Sequence, residues 1–317
     1  MYPLLMLGQH MEREIREQPA ILRQANYAEA LRPLAGRQFD MVLLVARGSS
    51  DNAALFARYL IEVHLGIPVS LAAPSVLTRF GSRVRYRNCL GVGISQSGAA
   101  PDIAEVLEAL RADGHLTVGV TNTADSRLAN TVDIPVLLDA GLEKALAATK
   151  TYTASLLAMV ELVRALGAEL PTNVLPDDAW IARCEEEALV ASGAVLRSSP
   201  VFALGRGYGF ATAHETALKL MECALVACKA YSTADFEHGP KALAGHGSAA
   251  LSFEGPRPNL TEQGCEIVAA PDPDGVPAEF RPLWDAVFGQ WTALHAARAR
   301  GLDPDAARHL SKVTKTR

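Results

Sequence analysis

At 317 residues the chain is long enough for two α/β halves of ordinary domain size, and 49% apolar with 21% charged residues is a globular balance. The formal net charge of −5 argues against nucleic acid or an anionic membrane as the main partner, yet it leaves room for an anionic small substrate in a locally positive pocket. Five scattered cysteines (Cys89, Cys184, Cys223, Cys228 and Cys265) with no CxxC pair exclude a disulfide frame and a zinc site.

No apolar run reaches membrane-span length, and Met1–Gly8 lacks the basic lead and apolar stretch of a signal peptide. A cytoplasmic protein is therefore expected. The start runs into a charged helical pattern from Met11 to Gln18. A strand at 41–46 then leads through Arg47-Gly48-Ser49-Ser50 into a helix expected over 51–64. Strands follow at 68–72 and at 89–94, the latter ending in Ser95-Gln96-Ser97-Gly98 before a helix from Pro101 to about Asp113. Strands at 116–120 and 134–137 close the first half. Short apolar runs alternating with amphipathic helices predict a doubly wound parallel sheet of the α/β class.

A long apolar helix is expected from about Thr149 to Leu166, then a linker over 171–176 and a charged helix over 177–192. The second half repeats the first less completely. Val201–Leu204 runs into Gly205-Arg206-Gly207 and a helical pattern from Thr212, with strands at 249–253 and 265–270 and a helix over 280–301. Superposing the two Arg-Gly pairs, Arg47-Gly48 and Arg206-Gly207, places the halves 159 residues apart, and the same offset aligns the helices that follow. A duplicated strand–bend–helix unit with hydroxyls at its first bend is a way to build a phosphate pocket. The second sheet is expected to be one strand smaller.

Three groups of residues could carry chemistry. Ser95-Gln96-Ser97-Gly98 lies between a buried strand and a helix, where free N–H groups and the positive dipole end favour an anion. Ser49 and Ser50, ending the neighbouring strand, could converge on it; as N-cap and turn residues the same serines would be purely structural. Neither bend spells GxGxxG, so a dinucleotide site is disfavoured. Glu215, Lys219 and Glu222 fall at i, i+4 and i+7, on one helix face beside an apolar stripe. The bland alternative is an exposed Glu-to-Lys pair; the functional one is a half-shielded carboxylate with a raised pKa acting as a base. His238, followed by Gly239-Pro240, sits in a loop as a second proton carrier or simply an exposed histidine. Glu143–Thr151, which includes Ala148, opens the long helix and could supply a cap or substrate contacts. The remaining histidines show no metal-ligand spacing, so neither metal nor cofactor is read.

Taken together, these residues resemble the sugar isomerase (SIS) phosphosugar-binding family, present as two tandem copies, each a doubly wound parallel sheet flanked by helices. The likeness runs from about residue 12 to the end through Arg47–Ser50, Ser95–Gly98, Glu143–Lys150, Glu215–Glu222, His238–Pro240 and the tail Leu310–Thr314. It is close to the isomerase half of glucosamine-6-phosphate synthases and closer to SIS-type glucosamine-6-phosphate deaminases. The resemblance implies an N-terminal helical segment (1–35), a first SIS domain (36–170), a second (177–302) and a tail (303–317) that contributes to the active site. It implies that Ser49, Ser50, Ser95, Gln96 and Ser97 bind the sugar phosphate and that Ala148 contacts the substrate. Glu222 would move a proton between C1 and C2, with Lys219 and Glu215 supporting the open-chain sugar. His238 would assist ring opening from the partner subunit of a homodimer, and Lys312 would close the site.

Departures from the family pattern shape the expected reaction. No room exists before Met41 for a glutamine amidohydrolase domain, so synthesis from glutamine is disfavoured. Ala99 and Ala100 replace the usual acidic residue and hydroxyl, removing one phosphate contact, and a strand and helix between Phe253 and Asn259 are expected to be missing. The expected activity is deamination of glucosamine 6-phosphate to fructose 6-phosphate and ammonia. The alternatives are a related phosphosugar isomerase, a sugar-amine 6-phosphate deglycase, or a non-catalytic phosphosugar-binding protein.

Overall fold

The structure is a computed structural model that describes residues 7–306 together with Ser311 and Lys312. Leu310, Val313 and Thr314 of the tail motif lie outside the described residues. Two compact units emerge: one of Ile21–Leu142 with Thr151–Thr172, the other of the chain up to Ala20, Glu143–Lys150 and Asn173–Lys312.

The elements that matter here are α1 (Gln9–Gln24), β1 (Met41–Val45), α2 (Ser49–Leu65), β2 (Val69–Leu71), β3 (Cys89–Ile94), α3 (Pro101–Ala112), β4 (Leu116–Thr121), β5 (Ile134–Leu137) and α4 (Lys150–Ala165). They continue with α5 (Asp178–Arg197), β6 (Val201–Gly205), α6 (Tyr208–Ala224), β7 (Cys228–Ser232), β8 (Ala249–Ser252), β9 (Glu266–Ala269) and α7 (Arg281–Ala299). Short helical turns link them. The first unit holds a five-stranded sheet ordered β2-β1-β3-β4-β5, and the second a four-stranded sheet ordered β7-β6-β8-β9. Every pairing is parallel. Near-continuous apolar strands such as Met41–Val45 and Cys89–Ile94 are buried on both faces, as a sheet covered by helices requires.

The internal repeat holds at the level of register. Val42 pairs with Val69 and Leu90 in the first sheet; Val201 pairs with Cys228 and Ala249 in the second, each residue 159 positions on. Gly48 before α2 (φ 57°, ψ −133°) and Gly207 before α6 (φ 57°, ψ −130°) share a backbone conformation that side chains avoid. Both helices also end in a left-handed residue at the same offset, Gly66 and Leu225.

The expected truncation is real but differently placed. A short helix, Pro258–Glu262, does lie between β8 and β9, while α3 in the corresponding place has 12 residues. The strand without a counterpart is β5, after the fourth strand and not between Phe253 and Asn259. Helix starts also move. Ser49 and Ser50 form the first turn of α2 instead of ending β1, and α6 begins at Tyr208, not Thr212.

In the second unit α6 and α5 pack against α7, burying Trp291, Phe288, Ile181 and Leu220 with Val201 and Leu251 of the sheet. In the first, Ile103 and Leu107 of α3 pack with Leu43 and Val45 of β1. Burial of each large apolar side chain contributes about 1.5–3 kcal/mol. These two cores fix the strand ends and helix starts that carry the candidate residues. Among the described residues, no helix is long and apolar enough to cross a membrane, and all five cysteines are buried free thiols.

Candidate active site

In the first unit the candidate anion site is built at the carboxyl ends of adjacent strands. Val45 of β1 lies beside Gly93 of β3, so the bends leaving the two strands are neighbours. Ser95 is 7% exposed, and its Oγ accepts the Gly98 N–H at 3.2 Å. Ser97 Oγ accepts the Ala99 N–H at 3.3 Å. A hydroxyl used as acceptor keeps its own proton to donate, so these backbone bonds turn the serines into donors. The Ser50 hydroxyl and the Gln96 amide make no hydrogen bond among the described residues.

The turn is pinned from behind. The Gln96 carbonyl accepts from Asn122 N–H at 3.0 Å, and Leu128 N–H donates to the Gly98 carbonyl at 3.0 Å. Gly98 has φ +60°, and a Cβ there would stand 2.1 Å from Ser126 Oγ; only glycine fits. Arg47 Nε meets Asp102 Oδ2 at 3.1 Å, tying the first bend to the opening turn of α3, with the Asp102 side chain 3% exposed. Burial pushes the Asp51 carboxyl up from its ordinary range, against the pull of Arg47. Ala99 and Ala100 bring no hydroxyl, so this loop carries two serine hydroxyls and one amide.

In the second unit the i, i+4, i+7 spacing on α6 produces a buried charge cluster. Lys219 Nζ lies 2.5 Å from Glu222 Oε2 and 3.5 Å from Glu215 Oε1. Glu215 and Lys219 have side chains 1% exposed, whereas Glu222 is 23% exposed. Burial alone would lower the Lys219 ammonium's pKa; Glu215 and Glu222 outweigh it and raise it above the ordinary lysine value. The cluster thus presents one carboxylate outward, held from behind by a cation.

A second cluster joins two segments that the sequence singled out separately, Glu143–Thr151 and the tail lysine. Glu143 is fully buried; one oxygen accepts Thr149 N–H at 3.0 Å, and the other meets Lys312 Nζ at 2.9 Å. Lys312 also donates to the Ala145 carbonyl at 2.6 Å. Glu14 of α1 accepts from the Lys144 and Ala145 N–H groups, and Glu17 pairs with Lys150 at 2.7 Å. The 143–150 segment, with half-buried Ala148, is therefore held by carboxylates of α1 and by the tail lysine. No hydrogen bond or ion pair among the described residues joins Lys312 to Glu222. His238 is exposed, its ring making no hydrogen bond among the described residues, while its backbone N–H donates to the Asp235 carbonyl at 3.0 Å. Sequence spacing found Glu215, Lys219 and Glu222. Arg47–Asp102 and Glu143–Lys312 pair across long separations and left no local signal, beyond Asp102 being an acid in a helix's first turn.

The SIS domain model matches residues 37–165. Glutamine–fructose-6-phosphate aminotransferase [isomerizing] 1 of Arabidopsis thaliana is 31% identical over 264 residues, covering 74% of this chain and 39% of that protein. The chain spans about half the length of the curated relatives it matches. A protein from Silicibacter pomeroyi DSS-3, provisionally assigned as a phosphosugar isomerase, superposes with a TM-score of 0.80 at 29% identity over 93% of this chain and 99% of that one. The glucosamine-6-phosphate deaminase of Thermotoga maritima gives 0.77 at 25% identity, over 97% of this chain and 100% of that one. Residues 37–165 of this chain thus form a SIS domain.

Proposed function

We propose that the protein is a phosphosugar aldose–ketose isomerase of the deaminating kind, converting glucosamine 6-phosphate and water to fructose 6-phosphate and ammonia. The observation that carries this reading is Glu222: a carboxylate reachable from solvent, backed at 2.5 Å by a buried lysine, on the helix that the repeat aligns with α2. Such a group can take a proton from C2 of the opened sugar and return it at C1. The 2-amino enol then becomes the ketimine, which water hydrolyses to the ketose and ammonia. A positioned general base of this kind is worth about 10²–10⁴ in rate.

The other roles follow the chemistry of each group. Ser49, Ser50, Ser95, Gln96 and Ser97 grip the phosphate, and the free donors at Ser50 and Gln96 support this. Ala148 lines the sugar, Lys219 and Glu215 hold Glu222, Lys312 closes the site, and His238 assists ring opening from the partner subunit of a homodimer. The exposed, unbonded ring of His238 is what a group serving another protomer would show. We further infer that residues 177–302 are a second SIS copy after the first at 36–170, with 1–35 leading in and 303–317 contributing to the site. The shared register and the paired Gly48 and Gly207 geometry support it.

Ala99 and Ala100 favour a second reading, a related sugar phosphate or a sugar-amine 6-phosphate, because the loop has lost a hydroxyl. Incubating the purified chain with glucosamine 6-phosphate, galactosamine 6-phosphate, fructosamine 6-phosphate and aldose 6-phosphates, with ammonia and ketose 6-phosphate as readouts, separates the two. Turnover confined to glucosamine 6-phosphate supports the first. Turnover of another member alone moves the assignment to it, and turnover of none overturns both.

A further inference from the structure

On one face of the first sheet, the segment from Ala72 to Tyr86 roofs a cavity of about 290 Å³. Leu43 and Leu71 of β1 and β2 form its floor, Val106 and Leu110 of α3 its wall, and Leu77 and Val84 its roof. Open to solvent on one side, it has the volume of about ten waters at ~30 Å³ each. That is the lower end of the range for small-ligand pockets. The wall residues lie more than one turn into α3, whereas the serine turn precedes that helix's first residue. The cavity is thus a different site from the one above.

Charge is concentrated at its mouth. Arg83 and Asp113 line the cavity and pair with each other at 2.9 Å. Beside them, half-buried Tyr86 has a hydroxyl with no hydrogen-bond partner among the described residues. The chain from Ala73 to Asn88, which runs through and just past the roof, carries four arginines (79, 83, 85 and 87) and no acidic residue, in a chain of net charge −5. Arg79, Arg85 and Arg87 are exposed and make no ion pair among the described residues. An apolar body with polar groups converging at one end is how proteins hold amphipathic small molecules. A sugar phosphate would leave the leucine and valine walls unmatched, and a neutral hydrocarbon would leave the Tyr86 hydroxyl and the remaining donors of Arg83 unmatched.

We propose that this cavity binds a small amphipathic anion, with an apolar body of about six to eight carbons filling a space of this volume and a carboxylate at the mouth, on Arg83 and the Tyr86 hydroxyl. The ligand closes the space between roof and sheet, covering apolar walls now open to water.

Calorimetric titration of the full chain with sodium octanoate and, separately, 1-octanol at low ionic strength tests this without reference to phosphosugar turnover. One saturable octanoate site per chain is expected, at least tenfold tighter than for octanol. Ala109→Trp fills the cavity from α3 and is expected to weaken octanoate at least tenfold. Arg83→Gln is expected to erase the preference for the carboxylate over the alcohol. Absence of saturable binding overturns the proposal, as does equal binding of both probes by the parent or undiminished binding by a folded Ala109→Trp variant. If the tryptophan variant does not fold, the Arg83→Gln comparison decides.

Discussion

Replacing Lys219 by methionine removes the one cation between Glu215 and Glu222 while keeping most of the side-chain volume. Glu215 is then left 1% exposed with its ammonium partner at 3.5 Å gone. At an effective dielectric near 20 that separation corresponds to about 4–5 kcal/mol of attraction, and breaking a buried pair costs about 3–5 kcal/mol. We therefore expect Lys219→Met to destabilise the second unit by about 4 kcal/mol. Adding Glu215→Gln removes the buried charge and should restore at least half of that. Trp180, Trp284 and Trp291 all lie in this unit, so urea unfolding followed by tryptophan fluorescence reports on it selectively. A loss below about 1 kcal/mol for the single variant, or a deeper loss in the double variant, would refute the view that the cluster is a buried, mutually supported charge network.

Further expectations concern both units. Asp285 is buried in α7, and burial, opposed by Arg281 and aided by Asp272, pushes its carboxyl up from 3.8 to about 8. The folded state therefore keeps a proton that the unfolded chain releases, so stability falls by about 1.4 kcal/mol per pH unit between those values. Asp285→Asn should flatten that slope and be the more stable form at pH 8; parallel urea midpoints from pH 5 to pH 8 would contradict it. Gly98→Ala places a Cβ 2.1 Å from Ser126 Oγ at φ +60°; about 1–3 kcal/mol of backbone strain should lower the melting temperature and raise KM for the sugar phosphate, and a melting curve matching the parent would count against it. Alanine at Ser50, Ser95 or Ser97 should each raise KM by about 10- to 150-fold, the equivalent of about 1.5–3 kcal/mol for a hydrogen bond to a charged group. Unchanged KM values for all three would remove the phosphate assignment.

Much of the fold was legible because parallel strands buried on both faces read as apolar runs, as at Met41–Val45 and Val201–Gly205. The repeat was legible because Arg47-Gly48 and Arg206-Gly207 are local. Strand β7, Cys228–Ser232, was not among the expected strands, because it is short and mixed in character, with Lys229 exposed between buried Cys228 and Ala230. Helix starts shifted because Ser49 and Tyr208 have no side-chain cap ahead of them: a glycine in an unusual conformation opens each helix instead. The α6 cluster was readable since helical spacing fixes which side chains share a face. The Glu143–Lys312 pair was not, because no periodicity links a loop carboxylate to a tail lysine 169 residues away. Burial of Lys219 was equally hidden, since lysine is almost never fully buried unless paired.

The most direct measurement is kcat for ammonia release from glucosamine 6-phosphate by Glu222→Gln beside the parent chain. If Glu222 carries the proton between C2 and C1, kcat falls by about 10²–10⁴ while KM stays near the parent value. A glutamine variant that releases ammonia at the parent rate would show that another group does this work.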